Sequence, residues 1–490
     1  MKILGINALN HDAAITLIDS DNGKILFAAH AERYSGIKND SNLNKEMFED
    51  MEQYGTPDKV VYFERPWIKK LRQLKAGQYS EVFTLDNLPQ QHLDSVMGKW
   101  NYTIDEYVDH HLSHASSTYF TSPYTESAVV CIDAIGEFDT ITLWYARGNK
   151  LEKRYSQVYP HSLGLWYSAM TQRLDLKPQE DEYILMGMAG WGTIDEELKQ
   201  NIRNDFFNDS DNPIDLKDNL HRGCLSWNPE YYKDDDSDEW KFNIGANVQA
   251  ICEEEIVKVF ELTKQLVPET DNCVYMGGVA LNCVANSIIA RDHYPNLWIL
   301  PNPGDAGSSL GSAAYLFGEH INWTSPFTGY DIQGEYPIDS VLWELLNGNI
   351  VGVASGKAEF GPRALGNRSL LADPRGKSIK DKRGGDNNIH SWDIGIKGEV
   401  SDEQIILLNK HYPLKVKDCN SVEFQRKLDS YQDKAEEIYF TIRNTLTEQD
   451  SIFLGGYGTK LFSKYLPKNK NNIIETITTK EIIIKFNFIQ

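Results

Sequence analysis

Two stretches of the chain carry the same pattern of short apolar runs and polar breaks. Residues 2–8, 13–19 and 24–30 are β-rich runs separated by Asn10-His11-Asp12 and by Ser20 to Gly23, which predicts strand, hairpin, strand. Residues 127–133, 139–146 and 150–157 repeat the meander. In each copy the first strand ends on a polar residue before a turn: Asn7 in the first, Asp133 ahead of Ala134-Ile135-Gly136 in the second. The repeat predicts an internal duplication of a hairpin-first α/β lobe. Between the copies, 31–126 reads as mainly helical with loops. Residues 246–265 read as an amphipathic helix leading into a strand at 273–276. The stretch 203–240 is acidic and rich in Asn and Pro, a surface insertion. Its Asp234-Asp235-Asp236 run lacks the ligand spacing and glycine of a calcium loop and reads as a solvated acidic loop. From about residue 376 the chain changes character and ends in a Lys/Asn/Ile-rich tail whose EIIIKFNFIQ run reads as a strand.

Length and charge narrow this picture. A chain of 490 residues exceeds what one core usually serves, so two domains or an elaborated pair of lobes is expected. Its 71 acidic residues against 49 basic give a net charge of −22, which repels nucleic-acid backbones and anionic lipid. A local basic pocket for a small phosphate remains compatible with that charge. The cysteines (131, 224, 252, 273, 283, 419) form no C-x-x-C pair, so they read as reduced, small core residues. No uncharged apolar run approaches the roughly 18 residues of a membrane helix. His11-Asp12 also comes too early for a signal-peptide apolar region. The expectation is a soluble, cytoplasmic protein.

Asp109-His110-His111-Leu112-Ser113-His114 carries the sharpest chemical signal. Asp109 can cap a helix on which His110 and His114, spaced i, i+4, project from one face and can share a metal ion. His111 points elsewhere and could orient a substrate. An isolated H-x-x-x-H is common, so a third ligand is needed, and Asp305 offers one from the Gly-rich turn PGDAGSSLG that opens a small-residue helix. Two histidines and one carboxylate leave open positions at which a metal can polarise a carbonyl or phosphoryl oxygen.

Two further turns are rich in glycine. Gly277-Gly278 follows a strand and allows close approach of a flat or anionic ligand, with Asn282 able to read polar edges. Lys357, Arg363 and Arg368 are interleaved with glycines and a proline in GKAEFGPRALGNRS, an anion cradle in a chain otherwise short of positive charge. There is no P-loop and no H-E-x-x-H.

These blocks resemble the NodU/CmcH carbamoyltransferases, in family order: LGINALNHDAA, AERYS, HHLSHASSTYF, IDAIGEF, SLGLWYS, LMGMAGWG, GGVALNCVAN, PGDAGSSLGSA and EFGPRALGNRSLLADPR, over residues 1 to about 375. The resemblance implies a duplicated actin-like (ribonuclease H-like) domain over 1–335, with lobes at about 1–125 and 126–335. A YrdC-like α/β domain over 336–490, divergent after about 376, would follow. It implies ATP, with Mg²⁺, and carbamoyl phosphate as substrates that react to carbamoyl-adenylate. The carbamoyl group then passes to a hydroxyl of a small acceptor, a sugar or nucleoside, beside a divalent metal: Fe²⁺, with Mn²⁺ or Zn²⁺ as alternatives. Carried across by position, His110, His114 and Asp305 match the metal ligands, His11 a transfer-site histidine and Asp133 an acid that activates the acceptor. Gly277, Gly278, Asn282 and Gly307 match adenylate contacts. Glu359, Arg363 and Arg368, with Lys357 beside them, fall in the motif that opens the YrdC-like domain. Some family members are homodimers.

The chain departs from the family where an arginine-rich segment should follow ADPR; here it reads GKSIKDKRGGDNNIHSWDIGIKGEV. Gly36 also stands where the family has a basic residue. Two alternatives therefore stay open: a homologue that binds nucleotide and metal without completing the reaction, and an actin-like kinase. The kinase would hold Mg²⁺ with carboxylates, against the histidine pair.

Overall fold

The computed structural model describes residues 1–371 apart from 76–78, 83, 85–87, 99–100, 211, 230, 232–237, 333, 335 and 348, and beyond 371 only four short strands. The chain divides into two units, one built from Met1–Gly329 with Phe360–Pro362, the other from Tyr330–Glu359 with the residues from Arg363 onward.

In the first unit, β1 (Lys2–Asn7), β2 (Ala14–Asp19) and β3 (Lys24–His30) form the expected meander. With β4 (Lys59–Tyr62) and β5 (Glu106–Tyr107) they make a sheet ordered β3-β2-β1-β4-β5. The hairpin partners are antiparallel, and β4 and β5 run parallel to β1. The second meander, β6 (Glu126–Gly136), β7 (Asp139–Arg147) and β8 (Lys150–Val158), joins β9 (Asn272–Met276) and β10 (Asn296–Ile299). That sheet is ordered β8-β7-β6-β9-β10 with the same strand directions. The two sheets share one topology, which is the duplicated actin-like α/β fold. Two strands fall inside the stretch expected to be helical: Val60-Val61-Tyr62 of β4, with Phe63 just after it, is buried on both sides, and a short apolar run of that kind has no period to separate strand from helix.

The helices of this unit include α1 (Pro66–Lys75), α2 (His110–Thr121), α3 (Glu182–Ala189), α4 (Asp238–Leu266), α5 (Cys283–Ile288) and α6 (Ser308–Phe317). Helix α4 contains the expected 246–265 helix and begins eight residues earlier, inside the stretch read as a surface insertion. Asp234-Asp235-Asp236 lies outside the described residues.

The layers are sheet, helix, helix, sheet. Helix α6 packs on β1, β2 and β4; α2 packs on β6, β7 and β9; and the two helices pack on each other. One core runs through all four layers, from Ile3 and Val61 through Leu310 and Ala313 to Ala115, Tyr119, Val129 and Val274. Small residues make the spacing close. A Cβ on Gly5 of β1 would lie 1.8 Å from the Ser309 carbonyl oxygen, and one on Gly311 of α6 would lie 1.8 Å from that of Ser113. Thr16 and Ser309 exchange a 2.9 Å hydroxyl contact, and Ser117 donates to the Gly307 carbonyl at 2.9 Å. These bonds satisfy polar groups where no water fits.

Cys131, Cys224, Cys252 and Cys273 are buried as expected of small core residues, whereas Cys283, at the start of α5, is exposed. Cys419 lies outside the described residues. No helix among the described residues is long and apolar enough to cross a membrane.

The second unit has its own small core of Val341, Leu345, Val351, Val353 and Leu371. Its sheet pairs Val351–Ala354 antiparallel with Arg368–Leu371 and parallel with Ser451–Leu454, which in turn pairs with Ile473–Glu475. The altered stretch 376–390 and the 476–490 tail lie outside the described residues.

Candidate metal centre

Helix α2 begins as its sequence dictates. Asp109 accepts from the Leu112 N–H at 2.9 Å and caps it. Arg65 joins that cap to the β6–β7 turn, donating to Asp109 at 2.5 Å and to Glu137 through its backbone N–H at 2.7 Å and Nε at 3.1 Å. Gly136 sits below the helix start, where a Cβ would lie 2.3 Å from the His110 ring. The clamp thus fixes the first turn that carries the histidines. Burial pushes the Glu137 pKa up even with Arg65 beside it. An Arg65→Ala change would leave Glu137 buried without its partner. A loss of about 1–2 kcal/mol is expected, moderated because Arg65 is partly exposed. The urea midpoint measures it, and an unchanged midpoint would contradict this account of the clamp.

One turn of helix brings the His110 and His114 Nε2 atoms within 3.1 Å of each other. Asp305 Oδ1, from the turn before α6, lies 3.4 Å from the first and 3.3 Å from the second. Asp133 Oδ2, near the end of β6, lies 3.4 and 3.7 Å from the same nitrogens. All four residues are buried, and their ligand atoms lie within 4.8 Å of one another. Two donors each about 2.1 Å from a shared ion stand roughly 3.0–3.4 Å apart at ordinary coordination angles. The separations among His110, His114 and Asp305, 3.1–3.4 Å, match that figure, while Asp133 Oδ2 stands somewhat farther off, 3.7 Å from His114. Asp305 Oδ1 has no hydrogen-bond partner, a buried acceptor that a cation would satisfy. The residues present fit a divalent ion of borderline softness.

The electrostatics agree. Burial alone would lower the pKa of His110, but Asp305 and Asp133 outweigh it and raise it well above the ordinary value. Burial would raise Asp305, but His110 and His11 hold it well below the carboxylate range.

Around the cluster, Ser308 Oγ contacts His114 Nδ1 at 3.0 Å, and Glu64 Oε2 lies 3.6 Å from His110 Nδ1. Asn10 donates to Asp305 Oδ2 at 3.0 Å. None of these three was singled out from the sequence. Ser308 and Asn10 adjoin motif residues, while Glu64 gives no signal beyond following a strand. Such outer contacts orient ligands and fix imidazole tautomers.

His11 lies beside the cluster, its Nδ1 2.9 Å from Asp12 Oδ2 and its Nε2 3.6 Å from Asp305 Oδ2. Burial would lower its pKa, but Asp305 and Asp12 overcome this and push it up to about 10. Asp133, expected to act on the acceptor, sits within the cluster. Its Oδ1 is occupied by the Gly278 N–H at 3.0 Å. His111 is not directed at a substrate: it is fully buried, and its Nδ1 is 2.9 Å from Thr142 Oγ1. Its position on α2 turns it into the packing against β7. Burial, then the charges of His110 and His114, lower its pKa to about 4, so it is neutral.

The glycine turn lies next to Asp133. Gly277 has φ +99° and approaches Ile132 so closely that a Cβ would lie 2.1 Å from its carbonyl oxygen. Asn282 caps α5 through the Ala285 N–H at 3.1 Å and exchanges amide hydrogen bonds with Gln249 at 2.9 and 3.1 Å. Gly307 abuts the Asn302 carbonyl, which leaves no room for a Cβ. In the second unit, buried Glu359 accepts from the Leu365 and Asn367 N–H groups at 2.8 and 2.9 Å and pairs with Arg368 at 2.9 Å. It holds the loop that carries Arg363, while Lys357 accepts the Asn367 amide at its carbonyl.

A duplicated actin-like body with a buried two-histidine, two-carboxylate cluster defines a class, and sequence comparison names it. Residues 98–314 match the carbamoyltransferase N-terminus family and residues 343–384 the carbamoyltransferase C-terminus family, together more than half of the chain. The chain belongs to the carbamoyltransferase family, and it is an enzyme of that kind. Among its relatives, an uncharacterized protein of Synechocystis sp. is 29% identical over 77% of this chain and 72% of its own length. Nodulation protein NolNO of Sinorhizobium fredii is 25% identical over 77% of this chain and 60% of its own length. The 3'-hydroxymethylcephem-O-carbamoyltransferase of Amycolatopsis lactamdurans is 32% identical over 27% of this chain and 29% of its own length.

Proposed function

We propose that the chain is an ATP- and metal-dependent O-carbamoyltransferase. In this reading it activates carbamoyl phosphate as carbamoyl-adenylate and passes the carbamoyl group to a hydroxyl of a small acceptor, a sugar or nucleoside. The observation that carries the reading is the convergence of His110, His114, Asp133 and Asp305 on one point. These four would hold a divalent metal, with Asp133 as a ligand rather than the acid first expected. A metal so held supplies Lewis-acid polarisation of an acyl oxygen. The proton of the attacking hydroxyl falls to His11, which Asp12 anchors at Nδ1 so that Nε2 faces the cluster. Its pKa of about 10 comes from the neighbouring carboxylates; once these are committed to a cation, their pull on the His11 proton weakens. The adenylate is assigned to the turn of Gly277, Gly278 and Asn282 together with Gly307. Lys357, Glu359, Arg363 and Arg368 are assigned to the first half-reaction.

The test is pyrophosphate release from ATP by the full chain. Release that requires carbamoyl phosphate is the expected result. Its absence from folded, metal-loaded protein would leave the second reading, a nucleotide- and metal-binding homologue that does not form the adenylate. The altered sequence after ADPR favours that alternative.

A further inference from the structure

A cavity of about 260 Å³ opens beside the cluster, lined by Asn10, Glu64, Lys69, Lys70, Arg72 and Gln73 among others. Asn10 and Glu64 are also the residues that contact Asp305 and His110. The volume lies just below the roughly 300–1,000 Å³ usual for small-molecule sites, which suits a small ligand. Its wall is basic in a chain of net charge −22.

The three cations of that wall differ. Lys69 pairs with Glu64 at 2.6 Å, and Lys70 donates to the carbonyls of Val82 and Thr84 at 2.9 and 2.8 Å. Arg72 is only 7% exposed, yet its Nε has no hydrogen-bond partner, and no described residue forms an ion pair with it. Burial lowers its pKa, with Glu64 only partly offsetting the effect. A buried guanidinium nitrogen left without a partner is costly, and an anion entering the cavity would satisfy it. Its planar fork suits a carboxylate or a phosphate.

We propose that this cavity receives the acceptor, and that the acceptor is a hydroxylated small molecule bearing an anionic group that pairs with Arg72. The inference rests on the carbamoyl-transfer reading and adds the chemical class of its substrate. A single sugar-sized compound with one carboxylate or phosphate has the right size and charge.

The experiment is thermal melting of the full chain, wild type and Arg72→Met, titrated with gluconate, glucose 6-phosphate, glucose and inorganic phosphate. Without ligand, Arg72→Met should melt at or above the wild-type temperature, because an uncompensated charge is gone. Gluconate or glucose 6-phosphate should raise the wild-type melting temperature saturably, while glucose should not. In the variant the midpoint concentration should rise by about tenfold or more. A response confined to gluconate identifies a carboxylate acceptor; one confined to glucose 6-phosphate identifies a phosphate acceptor. If Arg72→Met fails to fold, Arg72→Lys carries the test, with a weaker shift expected from the loss of the fork. Equal shifts in wild type and variants would overturn the proposal. So would silence toward every anion, an equal response to glucose, or a response to inorganic phosphate alone. Binding needs no turnover, so the two readings fail separately. Flat melts with intact pyrophosphate release remove the acceptor assignment alone; anion shifts without that release remove the carbamoylation reading.

Discussion

Alanine at both His110 and His114 is expected to abolish stoichiometric metal binding and, with it, carbamoyl transfer. The change removes two of four converging donors. Losing an outer contact to a metal ligand typically costs about 10–100-fold in affinity, and losing two ligands should cost well beyond that. It also leaves Asp133 and Asp305 buried together without the imidazoles that hold both ionised. One carboxylate must then take up a proton or the pair must repel. Elemental analysis of purified protein measures the metal directly. Melting with and without a chelator gives a second reading: a bound ion at 100 times its Kd stabilises by about 2.7 kcal/mol. The wild type should therefore lose stability with chelator, while the double variant should be indifferent. A double variant that retained one equivalent of metal would remove the cluster from consideration as the metal site.

Gly311→Ala should be among the most damaging single-methyl additions in the chain. The new Cβ would meet a backbone carbonyl oxygen at 1.8 Å and the Ser117 Cβ at 2.9 Å, neither of them the end of a flexible side chain. Helices α2 and α6 would have to move apart. The cost of such overpacking, about 3 kcal/mol or more, exceeds the roughly 1 kcal/mol gained from alanine's better helix propensity. A net loss of about 2–3 kcal/mol is expected. Because Ser113 adjoins His114, the shift should also weaken metal binding. Gly187 in α3 provides the control, since a Cβ there meets nothing within 4 Å. Gly187→Ala should be neutral or stabilise by up to about 1 kcal/mol. Similar denaturation midpoints for the two variants would refute the packing argument.

What the sequence disclosed depended on how local each feature is. The meanders were legible because antiparallel neighbours joined by short turns put period and punctuation within some thirty residues. Strand β4 was not, since its parallel partner β1 lies far away in the chain and both its faces are buried. The His110/His114 pair followed from helical spacing alone, and Asp305 from the turn that carries it. Asp133 was found as a strand-end acid, yet only three-dimensional proximity puts it among the histidines. Glu64 has no local mark. It follows β4 as Gly278 follows β9, an equivalence visible only once the two sheets are laid side by side. His111 was misjudged because spacing tells which face of a helix a residue occupies, not what covers that face.

The two central helices have a consequence for how the chain can be divided. Helix α2 comes before the second meander in sequence yet lies on the second sheet, and α6 follows that meander yet lies on the first. Each half of the repeat has lent the other a helix. A cut at residue 125 would give two fragments, each with a bare sheet face and a helix shaped for the missing partner. The two halves cannot be separated: loops on either half can be rewritten independently, while the halves themselves must be made and folded together.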